Sequence, residues 1–217
     1  MNRTILTIIL LLLLATTARG SEQAPSTDRQ LQEVIVTGGK HKQRSLTSRG
    51  AHVPGAVSTL TPDKVGCEIG TMLNTKHCFE VEEITFDIVS SNIEGATLSI
   101  QIYRDSTFAP LLLHPILLSI PEGKKQTITA TPSERTLLEP GNYIVTITLA
   151  DCDESVKQQW SNHEQWDSQT RYQMMKQSIQ FPLYLRDGYM RSDATDAFER
   201  CTANIGVKVI ARKMQRT

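Results

Sequence analysis

Tyr143-Ile144-Val145-Thr146-Ile147-Thr148-Leu149 is the stretch that decides the fold. Side chains alternate across an extended chain, so Tyr143, Val145, Ile147 and Leu149 share one face and Thr146 and Thr148 the other. That is the pattern of a strand with a buried side. It recurs upstream, where Ile84, Phe86 and Ile88 alternate with Thr85 and Asp87. Leu98, Ile100 and Ile102 do the same against Ser99, Gln101 and Tyr103. The stretches Leu111 to Ile120, Lys125 to Thr131 and Ile205 to Ala211 are also strand-like. Turn chemistry separates them: Ser91-Asn92 with Gly95, Pro121-Glu122-Gly123, and Glu139-Pro140-Gly141-Asn142. Short turns between many strands predict an all-β chain. The expected architecture is a β-sandwich, with a jelly-roll order as first choice.

One stretch breaks the period. Asp153 to Lys176 is rich in Gln, Glu and Lys, and Val156 and Trp160 stand four apart, on one helical face. Asp153 is placed to begin a helix whose first turn carries Glu154, which suits the helix dipole. Ser161-Asn162 and Asp167-Ser168 are breaks, so the expectation is a short helical excursion in two pieces. Ile179 to Leu185 then resumes a strand, and Pro182 within it predicts an edge position or a bulge.

The first 20 residues have a different composition. Arg3 precedes an apolar run from Ile5 to Ala15 interrupted only by Thr7, and the segment ends in Ala18-Arg19-Gly20. A positive start, a short apolar core and a small-x-small end are the pattern of a cleaved secretory signal peptide. The run falls well short of the about 20 apolar residues that span a bilayer. Residues 1–20 are therefore expected to be a signal peptide, 21–52 a flexible arm with a basic linker, and 53–212 the β-sandwich domain. The linker expectation rests on Lys40, Lys42, Arg44 and Arg49, with hardly an apolar residue among them.

The whole chain has 23 basic and 23 acidic side chains, and loss of Arg3 and Arg19 with the leader brings the net charge to −2. Nothing in that balance points to nucleic acid, and no later apolar run is long enough for an integral membrane segment. Localisation is expected to be exported, in the periplasm or cell envelope. Four cysteines remain: Cys67, Cys78, Cys152 and Cys201. An exported chain can oxidise them, and the favoured pairings are Cys67 with Cys78 and Cys152 with Cys201, with free thiols as the alternative. Their spacing matches no zinc pattern, so no metal and no cofactor is expected.

Catalytic signals are few. No GxSxG elbow surrounds any serine, and His163-Glu164 is not followed by the second histidine of a zinc motif. His52, His77, His114 and His163 have no readable nucleophile beside them. Asp151, Asp153 and Glu154 cluster around Cys152, but too few for a calcium loop, and they read as a solvated helix start. Trp160, Trp166 and Tyr172 offer either core residues or a surface on which a sugar ring can stack.

Two resemblances bear on function. Glu33-Val34-Ile35-Val36-Thr37-Gly38 resembles the segment that opens the plug of TonB-dependent outer-membrane receptors. The resemblance implies strand addition to a TonB-type protein through Glu33, Val34, Ile35, Val36 and Thr37, although 217 residues cannot supply that family's barrel. The domain is also similar to small exported β-sandwich proteins of Gram-negative envelopes. That similarity rests on 84–88, on 98–103 and on Leu138-Glu139-Pro140-Gly141-Asn142-Tyr143. It implies a non-catalytic module. The expected function is thus a non-enzymatic, exported envelope protein that binds a partner. A carbohydrate-binding module is the first alternative and a secreted hydrolase the second.

Overall fold

The structure is a computed structural model and describes residues 43–47 and 50–214. All of these lie in the unit that spans residues 40–217. The expected leader, and the Glu33–Thr37 segment, lie outside the described residues.

Thirteen strands follow one another: β1 Gln43–Thr47, β2 Ala51–Leu60, β3 Glu68–Thr75, β4 Phe79–Ser91 and β5 Thr97–Arg104. Then come β6 Ala109–Pro110, β7 Ile116–Ser119, β8 Gly123–Ala130, β9 Thr136–Leu138 and β10 Gly141–Asp151. Helices α1 Glu154–Trp160 and α2 Ser168–Met174 intervene before β11 Ile179–Arg191, β12 Glu199–Asn204 and β13 Lys208–Lys213. The all-β expectation with a helical excursion holds. Every strand pair is antiparallel, and the main ladder runs β1-β13-β4-β11-β3-β10-β5-β6.

Two strands of 13 residues, β4 and β11, hold the ladder together. The first half of β11 pairs with β2 and touches β4 at Ile179 and Gln180. Its second half pairs with β12 on one side and with β3 on the other. The register shifts between Pro182 and Tyr184 and again between Leu185 and Gly188. Pro182 cannot donate to a ladder, and the chain accommodates it in a bulge within a central strand.

The alternation read from sequence is what builds the core. Ile84, Phe86 and Ile88 of β4 join Leu98, Ile100 and Ile102 of β5 and Tyr143, Val145 and Ile147 of β10 in one buried cluster. Strands β4 and β10 are not paired with each other, so the ladder curls until its two halves share this core, as in a sandwich. Phe86 meets Phe181 across it, ring centroids 6.1 Å apart. Each such side chain contributes about 1.5–3 kcal/mol by leaving water.

The excursion breaks where its sequence says it should. Ser161 ends α1, and Asp167 caps α2 by accepting a hydrogen bond from the Thr170 amide at 2.7 Å. At the foot of α1, Gly95 has φ +64°, and a Cβ there would run into the Asp153 carboxylate. Glycine is needed at that turn both for its left-handed backbone and for the close approach.

Two expectations change. The stretch read as a basic linker contains β1, whose residues Gln43–Thr47 pair with Lys208–Arg212 of β13. An edge strand needs few apolar side chains, and of β1 only Leu46 packs against the core, so it resembles a linker in composition. The sheet thus begins ten residues before Val53, where the domain was expected to start. The cysteines also differ, for all four are free thiols. Between Cys67 and Cys78 stands the whole of β3, eight residues long, which at about 3.3 Å per residue holds them far beyond disulfide reach. Cys201 aligns with Gly188, then Thr71, then Val145 across the ladder. Cys152 lies beyond the end of β10 from that point, so this pairing is equally out of reach.

Candidate functional site

Two clusters of aromatic and charged side chains stand out, one at the margin of the main core under the helical excursion and one on the outer face of β3, β5, β10 and β11. The first is open to solvent. Helix α1 packs on the single helical turn Pro62–Lys64, and its last residue, Trp160, is buried at 6% exposure. The Trp160 indole donates to Gln177 Oε1 at 2.8 Å, which satisfies its only polar atom. Trp166, at the start of the run into α2, stands edge-on to Trp160 with centroids 4.9 Å apart. His163 lies 6.3–6.5 Å from both rings. Its Nδ1 is 3.0 Å from the Trp160 carbonyl, which can only accept, so Nδ1 donates in that contact.

These three side chains line a cavity of about 170 Å³ together with Thr59, Thr61, Asp63, Lys64, Arg171 and Met175. Its apolar surface is indole and thioether, and its polar groups come from two elements far apart in sequence. Asp63, Lys64 and Arg171 are exposed, and among the described residues none of the three side chains has an ion-pair partner. A mostly apolar concavity with a few convergent polar groups is the usual form of a small-ligand site.

Of the three aromatics singled out in the sequence, the structure brings two together. Trp160 is a core residue that also walls the cavity, and Trp166 is half-buried at its rim. Tyr172 is 67% exposed, outside the cavity lining, with Lys176 Nζ 5.5 Å from its ring centre. Lys64 and Arg171 were not picked out by sequence reasoning. Lys64 sits in a turn about a hundred positions from Trp166, and no local pattern marks it.

The second cluster is closed. Antiparallel register sets Arg191 of β11 opposite Glu68 of β3, and Arg191 Nη2 reaches Glu68 Oε1 at 2.6 Å. The side chains are only 11% and 8% exposed. The same Nη2 donates to the Tyr103 hydroxyl at 2.9 Å, and that hydroxyl donates to Glu68 Oε1 at 3.2 Å. The Phe198 ring lies 4.4 Å from the Arg191 guanidinium carbon and edge-on to Tyr103 and Tyr189. Tyr189 in turn donates to Asp105 at 2.9 Å. Burial, then the neighbouring Glu68 charge, pushes the Tyr103 hydroxyl up to about 12. Burial and the bond to Asp105 do the same to Tyr189, also to about 12. Both phenols are therefore neutral hydrogen-bond donors at physiological pH.

The remaining candidates are scattered. Lys157 pairs with Asp151 at 2.6 Å and with Glu154 at 3.6 Å, and the lysine hydrogen bond holds the Asp151 carboxyl below its usual range. His52 packs on Tyr184, and His77 lies 6.4 Å from Phe79 in another part of the chain. Burial raises the Cys67 and Cys152 thiols above their ordinary value, so both stay protonated at neutral pH. Among the described residues no group of three or more His, Cys, Asp or Glu is arranged to hold a metal ion. No helix among them is long and apolar enough to cross a membrane. A scan against known protein-family models finds no match for this chain, and a search of curated proteins finds no relative.

Proposed function

We propose that this chain is an exported, non-enzymatic binding protein of the bacterial cell envelope, and that its ligand seat is the cavity beneath the helical excursion. The observation that carries the reading is a cavity in which the Trp166 ring shares the lining with two exposed cations, Lys64 and Arg171, that have no ion-pair partner among the described residues. The export pattern of residues 1–20 supports an encounter outside the cytoplasm. Intrinsic tryptophan fluorescence tests the reading, since the chain has only Trp160 and Trp166. A glycan and small-molecule panel should contain ligands that shift the emission saturably, and Trp166→Ala should abolish the response. A panel that leaves emission unchanged to millimolar concentration counts against the cavity as a seat.

A second contact is proposed for the Glu33–Thr37 segment, whose EVIVT sequence resembles the strand-adding segment of TonB-dependent receptors. Main-chain hydrogen bonds would supply the affinity, so proline at alternate positions should remove it. The processed chain is titrated with a TonB C-terminal domain, beside a Val34→Pro, Val36→Pro variant. Saturable binding lost in the variant supports the docking role, and equal binding by both chains rejects it.

A further inference from the structure

We infer that the cavity accepts one acidic sugar residue, a pyranose ring carrying a carboxylate, presented at the end of a glycan chain. This inference rests on the cavity being a ligand seat and adds the class of ligand. Size sets the first limit. About 170 Å³ is below the range of ordinary drug-sized pockets, so it admits a single ring with its substituents and not a chain of them. The ring must have an apolar face, because the half-buried Trp166 indole forms one wall of the cavity.

Charge sets the second limit. Lys64 and Arg171 outnumber Asp63 at the rim, which favours an anion, and the guanidinium fork suits a planar carboxylate. Asp63 is what separates a sugar acid from other ring acids. An ionised carboxylate only accepts hydrogen bonds, and beside a bound anion it is tolerable only if the ligand also brings donors. A uronic acid meets every requirement at once: a C–H face for Trp166, hydroxyl donors for Asp63, and a carboxylate for Lys64 and Arg171. An aromatic acid such as benzoate lacks the donors, and a neutral sugar lacks the anion.

The test uses the full processed chain and four probes: oligogalacturonate, the neutral galactose oligomer of equal length, oligoglucuronate and benzoate. Fluorescence and calorimetry should show the two acidic oligomers binding at least tenfold tighter than the neutral one and than benzoate. Lys64→Gln and Arg171→Gln, both at exposed positions, should each weaken acidic-oligomer binding about fivefold without moving the thermal midpoint. Raising salt from 50 to 500 mM should weaken it further, as screening demands. Equal binding of neutral and acidic oligomers overturns the acidic assignment while leaving the cavity as a sugar seat. Benzoate binding as tightly as the oligomers overturns the sugar assignment. Absence of binding by all four probes, with the chain folded, overturns this inference and, if the wider panel is also silent, the cavity itself.

Discussion

The aromatic cluster under the helical excursion and the one on the outer sheet face are made of the same parts and are wired in different ways. Each has aromatic rings, an arginine and a carboxylate. On the outer sheet face Arg191 is held by Glu68, Tyr103 and Phe198, and Tyr189 is held by Asp105. Under the helical excursion the side chains of Arg171, Lys64 and Asp63 have no ion-pair partner among the described residues, while Trp160 and His163 are tied down. An aromatic–cation cluster whose arginine is bonded to a buried carboxylate is a structural clamp. One whose charges line a cavity without ion-pair partners is the seat proposed for a ligand. The difference lies in hydrogen-bond partners and not in residue types, which is why composition alone does not separate the two.

The sharpest way to break the comparison is to remove each arginine. Arg191→Ala strands Glu68, whose side chain is 8% exposed and whose Oε2 already has no partner, and should cost about 3–5 kcal/mol in urea denaturation. Arg171→Ala, at an exposed position, should stay within about 0.5 kcal/mol. Similar losses from both would erase the distinction. The two tryptophans offer a second contrast of comparable size. Trp160→Ala removes a buried anchor of the core and should destabilise by about 3–5 kcal/mol, whereas Trp166→Ala should mainly remove ligand binding.

Alkali should expose the clamp. An unfolded tyrosine loses its proton near pH 10, while Tyr103 in the fold retains it until about 12. Between those values the folded state binds more protons than the unfolded state, so stability falls as pH rises. The stability that Tyr103 contributes is fully present below pH 10 and disappears as pH passes 12, an effect on the order of 2 kcal/mol. Absorbance of the phenolates should show Tyr103, Tyr189 and the buried Tyr143 titrating late, and Tyr103→Phe should remove one of them. The smallest effect belongs to the cap of α2. Asp167→Ala withdraws the acceptor for the Thr170 amide and should fray α2, seen as faster amide exchange at Thr170 with the sheet amides unchanged.

What sequence reasoning could read follows from how regularly large apolar side chains repeat along each element. Strands β4, β5 and β10 were legible because such residues fill alternate core positions at 84–88, 98–102 and 143–149, although β10 is buried on both faces. The helical breaks at Ser161 and Asp167 were legible because capping is local chemistry. Strand β3 was not, since its buried positions hold Glu68, Gly70, Thr71 and Thr75 and only one large apolar residue, Leu73. Strand β1 failed because it has little to bury. The cavity was half legible. Trp160 and Trp166 could be named as candidates, but their separate roles depend on Gln177 and on a turn at 62–64 that only the tertiary fold brings near. The Glu68–Arg191 pair spans 123 positions and leaves no mark on local sequence.

The most direct test of the distinction is a pair of two-dimensional ¹H–¹⁵N spectra of the full processed chain, without and with oligogalacturonate, following the two indole N–H and the arginine Nε–H signals. The Trp160 indole, bonded to Gln177, should exchange slowly with solvent and move little, while the Trp166 indole and Arg171 should exchange fast and shift on titration. The Arg191 signal should stay where it is. Shifts centred on Arg191, or none at Trp166 under saturating binding, would contradict the account.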